Sequence, residues 1–284
     1  MNSVIDTNQH PIQLPRVYRG KGLSIISITG GKGGVGKSTV SVNLSIALSQ
    51  LGGRVLLLDG DLAMANADQM LGVHVPTTLW NVIQGEVSLS DSVVDTPWGI
   101  SLICASSGRK EMAELGEMKR QSLLDQVREL GKNYDYVVID TPAGIGGVSI
   151  DFASAADLVL AVATPDPSSV RDVFAIMKVL SKDKGIKRIN LVANMVSTNS
   201  EGVDLFKRVS GVAARFLPVT LGLGGIIVKD PTLQRAIRER LPVLSMYPEA
   251  MSSKQISKLA SQVVTLEREM LNEQSITGEK RSDR

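Results

Sequence analysis

The chain has 284 residues, of which 43% are hydrophobic and 21% are charged, so it is long enough to bury a sizeable core. Its formal net charge of +2 is too small to predict nucleic acid as the main partner. Neither secretion nor membrane spanning is predicted, because the sequence has no early apolar stretch behind basic residues and no run of about 18 apolar residues. A cytoplasmic location is expected.

Three segments are predicted along the chain. Residues 1–21 show no hydrophobic periodicity and contain prolines and basic residues, which predicts a flexible arm. Residues 22–272 alternate apolar runs with helical patterns and predict one folded domain, and residues 273–284 are polar and predict a disordered tail. The sole cysteine, Cys104, lies in an apolar run, so a buried packing role is expected for it.

A glycine-rich loop follows the first apolar run. Residues 25–28 predict a buried strand, residues 31–38 have the sequence GKGGVGKS, and apolar positions from Val40 to Leu51 recur at helical spacing. In this order of strand, loop and helix, backbone N–H groups and a helix N-terminus surround phosphate oxygens. The pattern GxxxxGK[ST] therefore predicts the binding of ATP with Mg²⁺.

Individual residues of this loop have predicted roles. Lys37 supplies a positive charge for the terminal phosphates, and the hydroxyl of Ser38 is a ligand for Mg²⁺. Lys32 is unusual because it directly follows the first glycine. The residues predicted to contact the nucleotide here are Gly31, Lys32, Gly33, Gly34, Val35, Gly36, Lys37, Ser38 and Thr39.

Further apolar runs predict the rest of a sheet. They cover residues 55–58, 136–139, 158–163 and 189–193, with a weaker candidate at 217–221. Helical stripes separate them, for example Leu123, Leu124, Val127 and Leu130. Strands that alternate with helices in this way predict an α/β fold with a doubly wound, mostly parallel sheet and helices on both faces. Ligands of such folds bind at the carboxyl ends of the strands.

Acidic residues close two of these runs. Asp59 and Asp140 are predicted to lie beside the phosphate loop, where carboxylates hold Mg²⁺ or its water shell. The predicted metal ligands are therefore Ser38, Asp59 and Asp140, with helix capping as the alternative role for either acid. Asp61, two residues after Asp59, is predicted to orient an attacking water.

Lys32 connects the loop to a known family. A lysine at this position can point away from its own nucleotide and reach the phosphates of a facing subunit, as an arginine finger does. Loops of the form KGGxGK[ST] are the deviant Walker A signature, and the chain resembles the MinD/ParA family of ATPases over about residues 23–265. Residues 59–68 resemble the first switch segment of that family, and residues 140–145 resemble the second.

Within the family, residues 191–196, 201–206 and 215–217 resemble the flagellar-number regulators called FlhG or FleN. The resemblance implies a homodimer that forms on ATP binding, with Lys32, Lys37 and Asp61 acting in the slow hydrolysis of ATP to ADP and phosphate. It also implies that Asn194 contacts the adenine and that Val228 and Asp230 line the base pocket. The alternative for Asn194 is a turn at the end of a strand.

The function implied by the resemblance is a regulatory switch that controls flagellar number or placement. The partner would be a protein of the flagellar system, namely a transcriptional activator, a GTPase or a switch component. Members of this branch often begin with a glutamine-containing helix that stimulates a partner GTPase. No such sequence motif is found in residues 1–22, so stimulation of a GTPase is not expected here.

Two alternatives remain open within the family. A ParA-like protein would bind DNA non-specifically through Lys182, Lys184, Lys187 and Arg188, or through Arg235, Arg238 and Arg240, although charge runs of this size are usually solvated. A MinD-like division-site ATPase would bind the inner face of the cell membrane through its last helix. That helix has mixed charge and no aromatic anchors, so core packing is the favoured interpretation. An iron–sulfur P-loop enzyme is disfavoured because the chain lacks paired cysteines.

Overall fold

One sheet organises the protein. The structure is a computed structural model that describes residues 23–62, 65–105 and 115–277, so the predicted arm at residues 1–21 lies outside the described residues. Within them the sheet has eight strands. They are β1 Ser24–Thr29, β2 Val55–Asp59, β3 Val94–Asp95, β4 Ser101–Ile103, β5 Tyr136–Asp140, β6 Leu158–Ala163, β7 Arg188–Val196 and β8 Thr220–Val228.

The strands lie in the order β3-β4-β2-β5-β1-β6-β7-β8. All neighbouring strands are parallel except the edge pair β3 and β4. Every residue of β1, β2, β5 and β6 is buried, as expected for strands that are covered on both faces. Cys104 is buried beyond the end of β4, as predicted.

Helices cover both faces of the sheet and confirm the doubly wound architecture. Those on one face are α1 Lys37–Gln50, α2 Ala67–Leu71, α8 Pro231–Glu239, α9 Val243–Met246 and α10 Met251–Thr277. Those on the other face are α3 Leu79–Ile83, α4 Glu117–Gly131, α5 Gly147–Ser154, α6 Pro167–Lys182 and α7 Asn199–Phe216. Each layer packs apolar side chains against the sheet, so the core consists of two slabs.

The last strand differs from its prediction. The apolar run at residues 217–221 predicts a strand there, but β8 covers Thr220–Val228 and pairs with β7 along its length. The sequence does not predict a strand over these residues because it has three glycines, at positions 222, 224 and 225, and glycine has a low intrinsic preference for strands. Pairing with a buried neighbouring strand overrides that local preference.

The strand order places a ligand-binding crevice beside β1. β5 and β2 lie on one side of β1, and β6, β7 and β8 lie on the other. The connections that follow these parallel strands emerge at their shared carboxyl edge, where open α/β sheets bind ligands. The phosphate loop and the segments after Asp59, Asp140 and Asn194 therefore converge on one edge.

The last helix packs into the core. Ile256, Leu259, Ala260 and Val263 of α10 are at most 1% exposed and belong to the cluster that includes α1. This confirms the favoured interpretation of the helix, which continues to Thr277 and so extends beyond the predicted boundary at residue 272. In the described part of the chain, no helix has the length and apolar character needed to cross a bilayer.

We expect Leu259→Ala to lower the free energy of unfolding by about 2–5 kcal/mol, because the truncation leaves a cavity under α10. Ser257→Ala, on the exposed side of the same helix, is the control and should change it by less than about 0.5 kcal/mol. Urea denaturation measures both values. A free energy of unfolding for Leu259→Ala equal to that of the wild type would contradict the packing of α10 on the core.

Candidate functional site

The phosphate loop connects β1 to α1, and two of its glycines have left-handed backbone. Gly34 has φ of +79° and Gly36 has φ of +91°, a region that side chains disfavour. A Cβ atom on Gly36 would also lie 2.3 Å from Nδ2 of Asn194. Because α1 begins at Lys37, the free N–H groups of its first turn face the loop. The loop thus has the backbone form that its predicted role requires.

The first glycine of the motif is required by packing. A Cβ atom on Gly31 would lie 2.0 Å from the carbonyl oxygen of Asp172 in α6, far inside van der Waals contact. The loop therefore rests directly on the backbone of α6. Any side chain at Gly31 would separate the loop from this helix.

Lys37 is buried next to acidic residues. Its side chain belongs to a residue that is 8% exposed, and this burial lowers the pKa of the ammonium group. The carboxylates of Asp140 and Asp61 oppose that shift. A buried ammonium group that loses hydration is favoured by further negative charge, and the binding of phosphate oxygens by Lys37 stays a prediction.

Asp140 forms a hydroxyl-lined acidic site at the end of β5. It is 1% exposed and accepts a hydrogen bond from Ser41 Oγ at 3.1 Å and another from the side chain of Ser38. Burial raises the pKa of Asp140 to about 6, although these hydroxyls and the charge of Lys37 lower it. The structure therefore brings together the predicted pair of Ser38 and Asp140.

Asp59 has an environment that differs from the one expected for a metal ligand. One carboxylate oxygen accepts from the N–H of Asp61 at 3.1 Å, and the other accepts from the N–H groups of Asn66 and Ala67 at 2.8 and 2.9 Å. Burial, together with Asp140 beside it in the β2–β5 register, raises the pKa of Asp59 to about 7. Asp59 thus organises the segment that carries Asp61, and its metal role stays a prediction.

Ser38 and Asp140 offer the ligand chemistry that Mg²⁺ prefers. This ion binds oxygen atoms and is usually held by one or two protein groups together with substrate phosphates and water. Over residues 23–62, 65–105 and 115–277, no cluster of three or more His, Cys, Asp or Glu is arranged to hold a metal ion. The donor set therefore fits an ion that arrives with the phosphates of a nucleotide.

The second lysine of the loop points elsewhere. The amine of Lys32 donates to Ser168 Oγ at 2.6 Å and lies 3.6 Å from Oδ2 of Asp166, at the start of α6. Asp166 also caps α6 by accepting from the N–H of Ser168 at 2.7 Å. Lys32 and Lys37 therefore extend to different surroundings, and the side chain of Lys32 remains 43% exposed.

Asn194 supports the loop from the end of β7. It is 4% exposed, and its Nδ2 donates to the carbonyl oxygen of Val35 at 2.8 Å. The following residue, Met195, has φ of +55°, which is uncommon for a residue with a long side chain. Contact of Asn194 with an adenine stays a prediction, and its observed contact is with the phosphate loop.

The turn after β8 is held by contacts to α10. The N–H of Val228 donates to Oε1 of Gln255 at 2.9 Å. The carboxylate of Asp230 accepts from the N–H of Thr232 at 2.8 Å and from the N–H and Oγ of Ser252 at 3.0 and 2.8 Å. These contacts give Asp230 a capping role in α8, and the base-pocket role of both residues stays a prediction.

Several polar residues of this region have no counterpart in the sequence-based prediction. Ser41 could have been found one helical turn after Lys37, and the Asp-Pro pair at residues 166–167 is a helix-start signal. The contacts of Lys32 come from the fold, because 136 residues separate it from Ser168. The polar residues without a predicted role are Ser41, Asp166, Ser168 and Glu201.

Known proteins share this fold and its sequence motifs. The AAA domain family matches residues 23–192. The antiactivator FleN of Pseudomonas aeruginosa is 38% identical over 256 residues, which cover 90% of this chain and 88% of FleN. The flagellum site-determining protein YlxH of Helicobacter pylori is 34% identical over 242 residues, which cover 84% of this chain and 81% of YlxH.

A solved relative extends the likeness to three dimensions. The septum site-determining protein MinD of Pyrococcus horikoshii, in complex with Mg-ADP, matches with a TM-score of 0.73 and 28% identity. The match covers 86% of this chain and 97% of that MinD chain. A parallel sheet with a glycine-rich phosphate loop after its first strand characterises P-loop nucleoside triphosphatases, of which the P-loop ATPases are one group. The chain belongs to the MinD/ParA family of these ATPases, in the branch of the FleN-type flagellar regulators.

The two lysines of the loop should have separable roles. We expect Lys37→Ala to weaken ATP binding by at least about 100-fold, because it removes the charge that is predicted to face the terminal phosphates. Lys32→Ala should leave ATP affinity within about threefold of the wild type, since a half-exposed lysine contributes little to a monomer. Calorimetry measures both affinities. Near-wild-type affinity in Lys37→Ala would contradict the assignment of the loop.

The buried acids should make the nucleotide-free protein less stable as pH rises. The pKa of Asp59 is raised to about 7 and that of Asp140 to about 6 from an unfolded value of 3.8, so between these values the native state binds more protons than the unfolded chain. The free energy of unfolding should therefore fall as pH rises through this window.

Urea denaturation at about pH 5 and about pH 7.5 measures this effect. Asp140→Asn removes one titrating group, so its stability should fall less between the two pH values than that of the wild type. Asp125→Asn, on α4, is the control and should follow the wild-type profile. A wild-type protein that gains stability over this range would contradict the prediction.

Proposed function

We propose that this protein is an ATP-dependent dimerising switch that restrains flagellar assembly and so sets flagellar number or placement. The observation that carries the proposal is the divergence of two lysines from one loop. Lys37 is buried among acids at the nucleotide site, while Lys32 leaves the loop and remains partly exposed. A single-subunit hydrolase needs only the first lysine, whereas a switch between monomer and dimer uses the second.

Each residue of the site has a part in ATP hydrolysis. The loop N–H groups and Lys37 bind the phosphates, and Ser38 and Asp140 hold Mg²⁺, which neutralises negative charge when bound. Asp61 orients a water molecule for attack on the terminal phosphate, and the products are ADP and phosphate. Asp59 supports this step through its hydrogen bond from the N–H of Asp61.

Dimerisation requires Lys32 to change partners. In the monomer it contacts Ser168 and Asp166, and in the dimer it contacts the phosphates bound by the facing subunit. A partly exposed ion pair is weak because water screens it. A triphosphate offers more negative charge than one carboxylate, so ATP favours the exchange and loss of the terminal phosphate reverses it.

The proposed partner is a protein of the flagellar system, and a transcriptional activator comes first. FleN is an antiactivator, and YlxH is a flagellum site-determining protein. Their names support the proposal that this protein controls flagellar number or placement. A GTPase or a flagellar switch component is the other class of partner. The protein would act in the cytoplasm, with reversible contact at the inner face of the cell membrane through the dimer.

A DNA-coating function has less support. Lys184 forms an ion pair with Asp151 at 2.8 Å, and Arg235 forms one with Glu239 at 2.8 Å. Each of the two basic clusters that would bind DNA therefore contains a residue whose charge is already paired. Non-specific DNA binding depends on the net positive charge of such clusters, and the neighbouring carboxylates lower that charge.

Asp61→Ala should separate ATP binding from turnover. The variant should bind ATP and Mg²⁺ normally but hydrolyse ATP about 100-fold more slowly or worse, equivalent to about 3 kcal/mol of activation free energy. Because the terminal phosphate persists, the dimer should accumulate in ATP. Phosphate release and light scattering measure these two effects, and Asp204→Ala, at an exposed position of α7, is the control.

In a flagellated cell the Asp61→Ala variant should restrain flagellar assembly persistently, whereas Lys37→Ala should behave like a deletion. Lys32→Ala should bind ATP without forming the dimer. Purified Asp61→Ala that turns over at the wild-type rate, or stays monomeric in ATP, would refute the switch mechanism.

A further inference from the structure

Ser41 has a buried hydroxyl that connects α1 to the end of β5. The residue lies one helical turn after Lys37 and is 0% exposed. Its Oγ lies 3.1 Å from Oδ1 of Asp140 and 3.0 Å from the carbonyl oxygen of Lys37. A serine hydroxyl has one hydrogen, so these two oxygens compete for it.

The carboxylate is the stronger of the two acceptors. Inside a regular α-helix the carbonyl oxygen of Lys37 already accepts the N–H of Ser41. Asp140 is ionised above its pKa of about 6, and a hydrogen bond to an ionised group is roughly twice as strong as one between neutral groups. The hydroxyl of Ser41 therefore donates mainly to Asp140.

The next serine of α1 gives a comparison within the same helix. Ser45 is also 0% exposed, and its Oγ donates to the carbonyl oxygen of Ser41 at 2.7 Å. Serines inside helices commonly form this bond to the carbonyl group four residues earlier. The corresponding distance from Ser41 to Lys37 is longer, at 3.0 Å, as expected for a hydroxyl that is shared with Asp140.

Asp140 thus receives hydrogen bonds from two hydroxyls of α1 that have different positions. Ser38 lies in the first turn of the helix and is the predicted ligand of Mg²⁺, whereas Ser41 lies one turn deeper and is fully buried. A carboxylate group rotates freely about its last bond unless hydrogen bonds fix it, and groups of this kind orient metal ligands. Ser41 is placed to fix the rotation of Asp140 from the side of the core.

We propose that Ser41 is a positioning residue for the magnesium ion that accompanies the nucleotide. This inference rests on the proposed function, in which Ser38 and Asp140 hold Mg²⁺. The hydroxyl of Ser41 holds Oδ1 of Asp140, so the carboxylate keeps its orientation when the hydroxyl of Ser38 turns to the ion. Hydrogen bonds to metal ligands typically change metal affinity by about 10–100-fold.

The variant Ser41→Ala removes this hydrogen bond with little change in side-chain volume. Alanine has a higher helix propensity than serine, so α1 should form as in the wild type. Ser45→Ala is the matched control, because it removes a buried hydroxyl from the same helix about 6 Å further along its axis. A general loss of stability would affect both variants, whereas a loss of positioning would affect only Ser41→Ala.

Calorimetry with ADP, first in EDTA and then over a range of Mg²⁺ concentrations, tests the proposal. ADP is the probe because it has no terminal phosphate to hydrolyse. The Mg²⁺ concentration that gives half of the effect on ADP affinity should be about 10-fold higher in Ser41→Ala than in the wild type and Ser45→Ala. The affinity for metal-free ADP should agree within about twofold among the three proteins, a separation that a general loss of structure would not produce.

Equal Mg²⁺ dependence in the wild type and Ser41→Ala would overturn the positioning role and leave the proposed function intact. A loss of affinity for metal-free ADP as large as the loss for ADP with Mg²⁺ would also overturn it. Wild-type binding of ADP that does not respond to Mg²⁺ would overturn both the metal site of Ser38 and Asp140 and this inference. If the wild type binds neither ADP nor ATP, the proposed function fails as well.

Discussion

Two carboxylates and an ammonium group are buried together where β1, β2 and β5 end. The parallel register places Asp59 directly beside Asp140, and Lys37 follows β1 across the phosphate loop. Burial of a charge costs several kcal/mol unless hydrogen bonds and opposite charges offset it. The sheet therefore buries charges at this edge, and the groups around them supply the hydrogen bonds and opposite charges that offset the cost.

The two acids differ in the groups that donate hydrogen bonds to them. Asp59 is stabilised by three backbone N–H groups, so its charge determines the shape of the segment that carries Asp61. Asp140 is stabilised by the hydroxyls of Ser38 and Ser41, which a metal ion can replace or join. One acid thus shapes the segment that carries Asp61, while the other lies among hydroxyl groups.

The sequence predicts the buried sheet well, because strands covered on both faces appear as continuous apolar runs. It fails at β8, where glycines lower strand preference and pairing with β7 decides the outcome. In the site, local spacing predicts the loop and the acids that end strands. Local spacing cannot predict the hydrogen bonds that the fold creates between distant residues. Backbone N–H groups donate to Asp59, and Ser252 donates to Asp230. The amine of Lys32 donates to Ser168.

The start of α6 links the shape of the loop to the position of its second lysine. Gly31 rests on the backbone of Asp172, while Asp166 and Ser168 hold the amine of Lys32 one to two turns earlier. The first contact is rigid because it is backbone against backbone, and the second is weak because water screens it. A loop that stays in place while one of its lysines can leave is ready to bind nucleotide before it dimerises. In the proposed switch, the unequal strength of these two contacts to a single helix would let ATP bind first and the facing subunit second.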